Sequence, residues 1–274
     1  MQELIERVSA EVSAALAHIE FTETRLLPPA TLEIAHLDAA AVAKLIDHTL
    51  LKPDATSAQV RQLCADALEY QFASVCVNST WLALCQTLLG GSAVKCCVVT
   101  GFPMGAMLGA AKAHETALAV AQGAQEVDTV INVGRLKDKD YEVVYADVAG
   151  VAHAAHAGGA LAKVILETGL LTPAEKIAGC LICKWAGIDY VKTATGFQGG
   201  GATVADVALM RQVVGPEMGV KAAGGIRTAE DARSMIAAGA TRIGASAGIS
   251  IVQGFLGTAG ATVADKGATD KGAY

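Results

Sequence analysis

Short apolar stretches recur along this chain, each followed by a longer stretch in which apolar residues return every three or four positions. Eight of them read as strands, at 44–48, 72–77, 94–99, 126–131, 161–166, 189–192, 219–222 and 242–245. The segments between carry helix signals. Thr172-Pro173-Ala174-Glu175 offers a capping threonine, a proline at the first helical position and a glutamate that reaches back to the cap, and Thr228 to Asp231 starts another helix similarly. Helices are expected over 109–123 and 141–157, each running out at glycine. Eight strand-then-helix units with short connections predict an α/β protein built as a closed parallel (β/α)8 barrel, because right-handed crossovers and strands buried on both faces leave few alternatives. An amphipathic helix over 2–19 and the break at Leu27-Pro28-Pro29 mark residues 1–38 as an N-terminal helical extension, expected to cap a barrel end or meet another subunit. The barrel is expected over 39–260, and the polar, Gly- and Ala-rich stretch 261–274 is expected to be a mobile tail.

Charged residues interrupt this apolar pattern. Strands of a parallel sheet are covered on both faces, so a charge there costs free energy unless chemistry or a partner offsets it. Asp47, Asp128, Lys163, Lys192 and Lys221 nevertheless all fall inside strand runs. Alternation along a strand turns Asp128 and Lys192 away from the faces of their immediate neighbours, toward the barrel mouth. Such residues could form a structural ion-pair network, or a lysine could run its stem along apolar surface and keep its nitrogen in water. Lys192 and Lys221, however, are each followed within four residues by glycine, at Gly196 and at Gly224-Gly225. That places them at strand C-terminal ends, where reactive groups of such barrels collect. An ordinary lysine amine, with a pKa of about 10.4, is protonated at neutral pH and is no nucleophile. A neighbouring ammonium and partial desolvation both favour its neutral form, and Lys221, on the adjacent strand, is the neighbour expected to act on Lys192.

The loops after strands seven and eight supply an anion site. Gly224-Gly225 follows one, and Gly244-Ala245-Ser246-Ala247-Gly248 follows the other and opens a helix, so unpaired backbone N–H groups can face a phosphate. Composition narrows the possible partners. The net charge of the 274 residues is -6 and no basic stripe is present, which argues against nucleic acid. The first residues are acidic and amphipathic rather than basic and then apolar, unlike a signal peptide. The long uncharged run 243–264 holds five glycines and reads as strand, loop and helix rather than a membrane span. Seven cysteines at irregular spacing point to reduced thiols and a cytoplasmic protein. Cys180 and Cys183 have metal-type spacing but no nearby histidine, and read as buried thiols of a helix face.

Motifs that follow one another from about residue 44 to 250 resemble those of the deoxyribose-phosphate aldolases, Schiff-base enzymes on a (β/α)8 barrel. They are Leu45-Ile-Asp-His-Thr-Leu-Leu-Lys-Pro53, Ala73-Ser-Val-Cys-Val-Asn78, Val99-Thr-Gly-Phe-Pro-Met-Gly105, Glu126-Val-Asp128, Lys163-Val-Ile-Leu-Glu-Thr168, Val191-Lys-Thr-Ala-Thr-Gly-Phe197, Val220-Lys-Ala-Ala-Gly-Gly-Ile-Arg-Thr228 and Gly244-Ala-Ser246. The resemblance implies reversible cleavage of 2-deoxy-D-ribose 5-phosphate to D-glyceraldehyde 3-phosphate and acetaldehyde, in deoxyribonucleotide catabolism. It implies a Schiff base on Lys192, with Lys221 and Asp128 moving protons. Substrate contacts are expected at Asp47, Thr49, Cys76, Lys163, Thr193, Gly196, Gly224, Gly225, Gly244 and Ser246. No metal or other cofactor is implied, and the protein is expected to be a homo-oligomer, dimer or tetramer, whose partners are sugar phosphates and aldehydes. Ala247 stands where relatives often have a second serine, and Ser79 where they have proline. Two other readings share parts of this pattern. Another Schiff-base aldolase or transaldolase would keep Lys192 and the anion loops, while a non-catalytic sugar-phosphate sensor would keep the loops and have no need of the lysine pair.

Overall fold

The computed structural model describes residues 1–19, 21 and 37–257. Eight parallel strands, β1 (Ile46–Leu50), β2 (Ser74–Asn78), β3 (Lys95–Thr100), β4 (Glu126–Val130), β5 (Leu161–Ile165), β6 (Tyr190–Lys192), β7 (Gly219–Ala223) and β8 (Arg242–Ala245), pair in sequence order and close between β1 and β8. This is the expected (β/α)8 TIM barrel. The helices, in chain order, are α1 (Gln2–Ala15), α2 (Ala39–Ala43), α3 (Ser57–Tyr70), α4 (Leu82–Leu89), α5 (Gly109–Ala121), α6 (Val133–Lys137), α7 (Tyr141–Ala157), α8 (Pro173–Trp185), α9 (Val204–Val214), α10 (Ala229–Ala237) and α11 (Gly248–Phe255).

Local chemistry starts these helices where the sequence indicates. Thr172 and Glu175 form a reciprocal capping box at α8, as do Thr228 and Asp231 at α10 and Thr56 and Gln59 at α3. The strands fall within two residues of their expected limits, with the largest displacement at β1. There Asp38 accepts a hydrogen bond from the Ala41 N–H and nucleates the one-turn α2, so Lys44 ends a helix instead of opening a strand.

The barrel has two interiors of opposite character. Val75, Val98, Val164, Val191 and Val220 belong to the main apolar core, which fills the space between strands and helices. The alternate positions Asp47, Asp128, Lys163, Lys192 and Lys221 point to the axis and are also buried. A smaller apolar cluster, Leu51, Cys76, Cys97 and Val99 with Phe102 and Phe197 against it, lies beside these charges.

The N-terminal helix stops at Ala15, short of the expected 19, and it does not lie across a barrel end. Its apolar stripe, Val8, Val12 and Leu16, is buried on the outer flank against α8 and α7, and Phe21 stacks on Trp185 with ring centroids 5.1 Å apart. Lys139 and Tyr141 reach Glu11 from the side of α7 at 2.7 and 3.1 Å. The break at Leu27-Pro28-Pro29, the rest of the extension and the tail 261–274 lie outside the described residues.

Candidate active site

Three neighbouring strands bring three lysines to one carboxylate. Asp128 on β4 is in register with Lys163 on β5, and Lys192 on β6 is in register with Lys221 on β7. Lys163 Nζ lies 2.8 Å from Asp128 Oδ1, while Lys192 and Lys221 donate to Oδ2 at 2.8 and 2.7 Å. Below this tier, Lys221 also meets Asp47 Oδ2 at 2.5 Å, Lys163 meets Glu126 Oε2 at 2.5 Å, and Arg242 joins Asp47 and Glu126 at 2.6 and 3.1 Å. Three carboxylates therefore face four cations in one network. The sharing is unequal. Lys163 and Lys221 are fully buried and each has at least two carboxylate partners, whereas Lys192 is 3 % exposed and, among the described residues, forms an ion pair with Asp128 alone.

The electrostatics follow from this geometry. Burial resists the charge on Lys221, but Asp128 and Asp47 outweigh it and hold the ammonium above the ordinary lysine range. Lys163 is pushed well above that range in the same way, with burial opposed by Asp128, Cys97, Glu126 and Asp47. Burial likewise opposes ionisation of Asp128, yet Lys163, Lys192 and Lys221 carry its carboxyl well below the usual range. Asp47 is lowered against the same burial cost by Arg242, Lys221 and Lys163. Lys221, the neighbour expected beside Lys192, is thus an ammonium held above the ordinary lysine range.

The remaining expected contacts divide. Cys76 is fully buried beside Cys97, its register partner on β3, and its thiol is lowered first by a hydrogen bond with Cys97, against burial, with help from Lys221. Donor atoms of Cys76, Cys97 and Asp128 lie within 4.8 Å of one another, but Asp128 already accepts from three ammonium groups, surroundings unsuited to a metal cation. The Thr49 hydroxyl donates to Asp47 O at 2.9 Å. The Thr193 hydroxyl donates to Ala223 O and accepts from Ala223 N–H, at 2.7 and 2.9 Å, clamping β6 to β7. Those two hydroxyls are engaged with backbone rather than turned to the lysines. Cys180 and Cys183 are buried in α8, as the sequence indicates.

At the other end of the mouth, Gly224 and Gly225 adopt φ of +97° and +79°, which favour glycine, and a Cβ on Gly225 would meet open space. Ser246 is exposed at the start of α11, whose N-cap, Ala247, makes no side-chain cap bond. Gly244 serves differently: a Cβ there would come within 3.0 Å of Lys221 Cε, so its absence makes room for the lysine stem. Gly196 has φ +84° in the turn after Lys192.

Residues 41–256 match the family described as DeoC/LacD family aldolase. The chain belongs to this aldolase family. It is 58% identical over 214 residues to the deoxyribose-phosphate aldolase of Lysinibacillus sphaericus, covering 78% of this chain and 96% of that one. Identity to the enzyme of the same name from Halalkalibacterium halodurans is 59% over 215 residues, 78% of this chain and 96% of the other. Among solved structures, the tetrameric deoxyribose phosphate aldolase of Aeropyrum pernix superposes with a TM-score of 0.75 at 34% identity, covering 80% of this chain and 92% of that one. The protein is an aldolase, and among the described residues no helix is long and apolar enough to cross a membrane.

Glu126, Glu167 and Thr195 fall inside the motifs quoted above but carry no expected site role there, and Arg242 and Cys97 carry none either. For Glu126 and Arg242 the available signal is a charge at the first position of a strand. Glu167 follows the apolar run Val164-Ile165-Leu166 and reads as the start of a loop.

Proposed function

We propose that the enzyme cleaves 2-deoxy-D-ribose 5-phosphate reversibly to D-glyceraldehyde 3-phosphate and acetaldehyde through an imine on Lys192. The observation that carries this reading is the unequal sharing of carboxylates: Lys192 is the lysine with a single partner and a trace of exposure at the mouth. Its amine adds to the C1 aldehyde and water leaves. The resulting iminium is an electron sink, so the C2–C3 bond breaks to an enamine as the C3 hydroxyl gives up its proton and becomes the new aldehyde. Protonation of the enamine at C2 and hydrolysis then release acetaldehyde and restore the amine.

Asp128 is placed between Lys192 and Lys221, bonded to both through one oxygen, and can pass a proton between them. Lys221, whose ammonium is held above the ordinary lysine range by Asp128 and Asp47, is the proton donor of the pair. The phosphate is assigned to the Gly224-Gly225 turn, Ser246 and the N-terminus of α11, where Ala247 removes a hydroxyl but leaves the backbone donors. Likeness to named deoxyribose-phosphate aldolases supports the substrate. A role in deoxyribonucleotide catabolism, a homo-oligomeric state and a cytoplasmic location complete the reading, the last supported by seven free, buried cysteines.

The test is reduction with borohydride in the presence of deoxyribose 5-phosphate, followed by peptide mass analysis. The adduct is expected on Lys192. An adduct on Lys163 or Lys221 would reverse the assignment, and a substrate profile favouring another sugar phosphate would replace the substrate.

A further inference from the structure

Glu167 is a carboxylate in an unexpected position. It is 1 % exposed, directly beyond β5, and among the described residues no cation lies within ion-pair distance of it. Among the described residues its hydrogen-bond partners are neutral and come from one residue. The Thr195 N–H donates to both carboxylate oxygens at 3.3 Å, and the Thr195 hydroxyl donates to Oε2. The backbone of Glu167 is left-handed, with φ 57° and ψ 59°, a conformation that costs a non-glycine residue energy and persists only where its surroundings enforce it.

Those surroundings are the strand that carries Lys192. Leu166 N–H donates to Lys192 O and Thr168 N–H donates to Thr193 O, both at 2.9 Å, so the left-handed turn is bracketed by two ties to β6 and the segment after it. The side chain adds a third tie two residues further on. Thr195 in turn accepts from Phe197 N–H at 3.0 Å across the Gly196 turn, and the Phe197 ring packs edge-on against Phe102, centroids 5.3 Å apart, beside Cys76 and Cys97. The amine of Lys192 is held by Asp128 and makes no hydrogen bond to Glu167 or Thr195. Burial raises the Glu167 carboxyl against the Thr195 bonds and Lys192, which accords with a group kept for geometry.

We propose that Glu167 is a positioning residue for the carbon–carbon bond step: through Thr195 it fixes residues 195–197 against the part of the sugar beyond the imine carbon, leaving the amine itself unaffected. The inference rests on Lys192 being the imine-forming residue. A two-carbon aldehyde needs only the amine, whereas deoxyribose 5-phosphate extends past it, so the two substrates separate the roles.

The experiment compares Glu167→Gln, Glu167→Ala and Thr195→Val with the wild type, using borohydride trapping of acetaldehyde on Lys192 and steady-state cleavage of deoxyribose 5-phosphate. Glu167→Ala and Thr195→Val are each expected to lower kcat/KM for the sugar phosphate about 100-fold, the penalty of a small misplacement, while acetaldehyde trapping stays within about threefold of wild type. Glu167→Gln keeps an acceptor for Thr195 and should recover most of the loss. The double variant Glu167→Ala, Thr195→Val should be less impaired than the product of the two single losses, because the hydroxyl–carboxylate bond is removed by both. Three results would overturn the proposal: full activity in both single variants, parallel losses of trapping and cleavage, or a Glu167→Gln variant as impaired as Glu167→Ala, which would make the charge and not the geometry the active element. Failure of the wild type to form an adduct at Lys192 is a separate result, and it removes the imine assignment on which the inference stands.

Discussion

Lysines are buried in two parts of this protein, and the two sites differ in kind. Between the helices, Lys112 of α5 is 1 % exposed and has one carboxylate, Asp147 of α7, at 2.5 Å, together with Val130 O at 2.8 Å. Burial there dominates both partners: it lowers the Lys112 ammonium and raises the Asp147 carboxyl, despite their mutual attraction. In the barrel, burial is more complete, yet Lys163 and Lys221 are raised and Asp47 and Asp128 lowered, because each ion has several opposite charges within reach. A solitary pair in a dry place barely recovers the cost of desolvation, while a network does, and here the network gives one member, Lys192, fewer carboxylate partners than the other two lysines.

The largest effect should come from removing that member. Lys192→Leu should abolish borohydride trapping of acetaldehyde and reduce cleavage by about 10^4-fold or more. Lys221→Leu should lower turnover by about 10^2- to 10^4-fold with the fold intact, since Asp47 keeps Arg242 and Asp128 keeps Lys163. Near-normal turnover of that variant at pH 7 would contradict the role given to the neighbouring ammonium. At the helix site, Asp147→Leu leaves Lys112 without a counter-ion and should cost about 3–5 kcal/mol in urea denaturation, whereas the double variant Lys112→Met, Asp147→Leu should lie within about 1.5 kcal/mol of wild type. A double variant as unstable as the single one would mean that the pair is as well compensated as the barrel network. Gly225→Val should raise KM for the phosphorylated sugar about tenfold more than for free deoxyribose, because its φ of +79° is strained for a β-branched residue.

The smallest effect is on pH dependence. Asp147 is raised, so the stability it contributes is present below the unfolded value of about 3.9 and lost as pH rises through its folded value. Lys112 is lowered, so its share is present above about 10.4 and lost as pH falls through its folded value, and at neutral pH both ions are a cost. Any stability advantage of the double variant should therefore shrink between pH 7 and pH 4.5. Asp128 has the opposite sign: its contribution is present above about 3.9 and is lost only as pH falls through its much lower folded value.

Much of the site was legible because its charges interrupt apolar runs, and Asp128, Lys163, Lys192 and Lys221 needed only that contrast to be found. Arg242 and Glu126 carry the same message more weakly, since a charge at the first residue of a strand is ordinary. Thr193 is a different case. It belongs to the motif around Lys192, but which hydroxyls meet substrate and which clamp strands depends on register, and here Ala223 of the adjacent strand takes the bond. The left-handed turn at Glu167 has no sequence signature, because a glutamate adopts it only under tertiary constraint. The N-terminal helix was overextended to residue 19 because Leu16 and Ile19 continue its apolar spacing, although Leu16 already has the backbone of a helix end.

The contact between Asp47 and Arg242, at 2.6 Å, joins the first strand of the barrel to the last across 195 positions of chain. Until β8 docks, Asp47 lacks its guanidinium, and the Lys221 stem lacks the backbone of Gly244 against which it packs in the finished barrel. A partial barrel would hold ionised groups in a half-formed interior with neither water nor partners to solvate them. The buried charge network should thus make assembly all-or-none: a fragment ending before β8 should collapse without reaching native order, and refolding of the full chain should wait on this most distant closure.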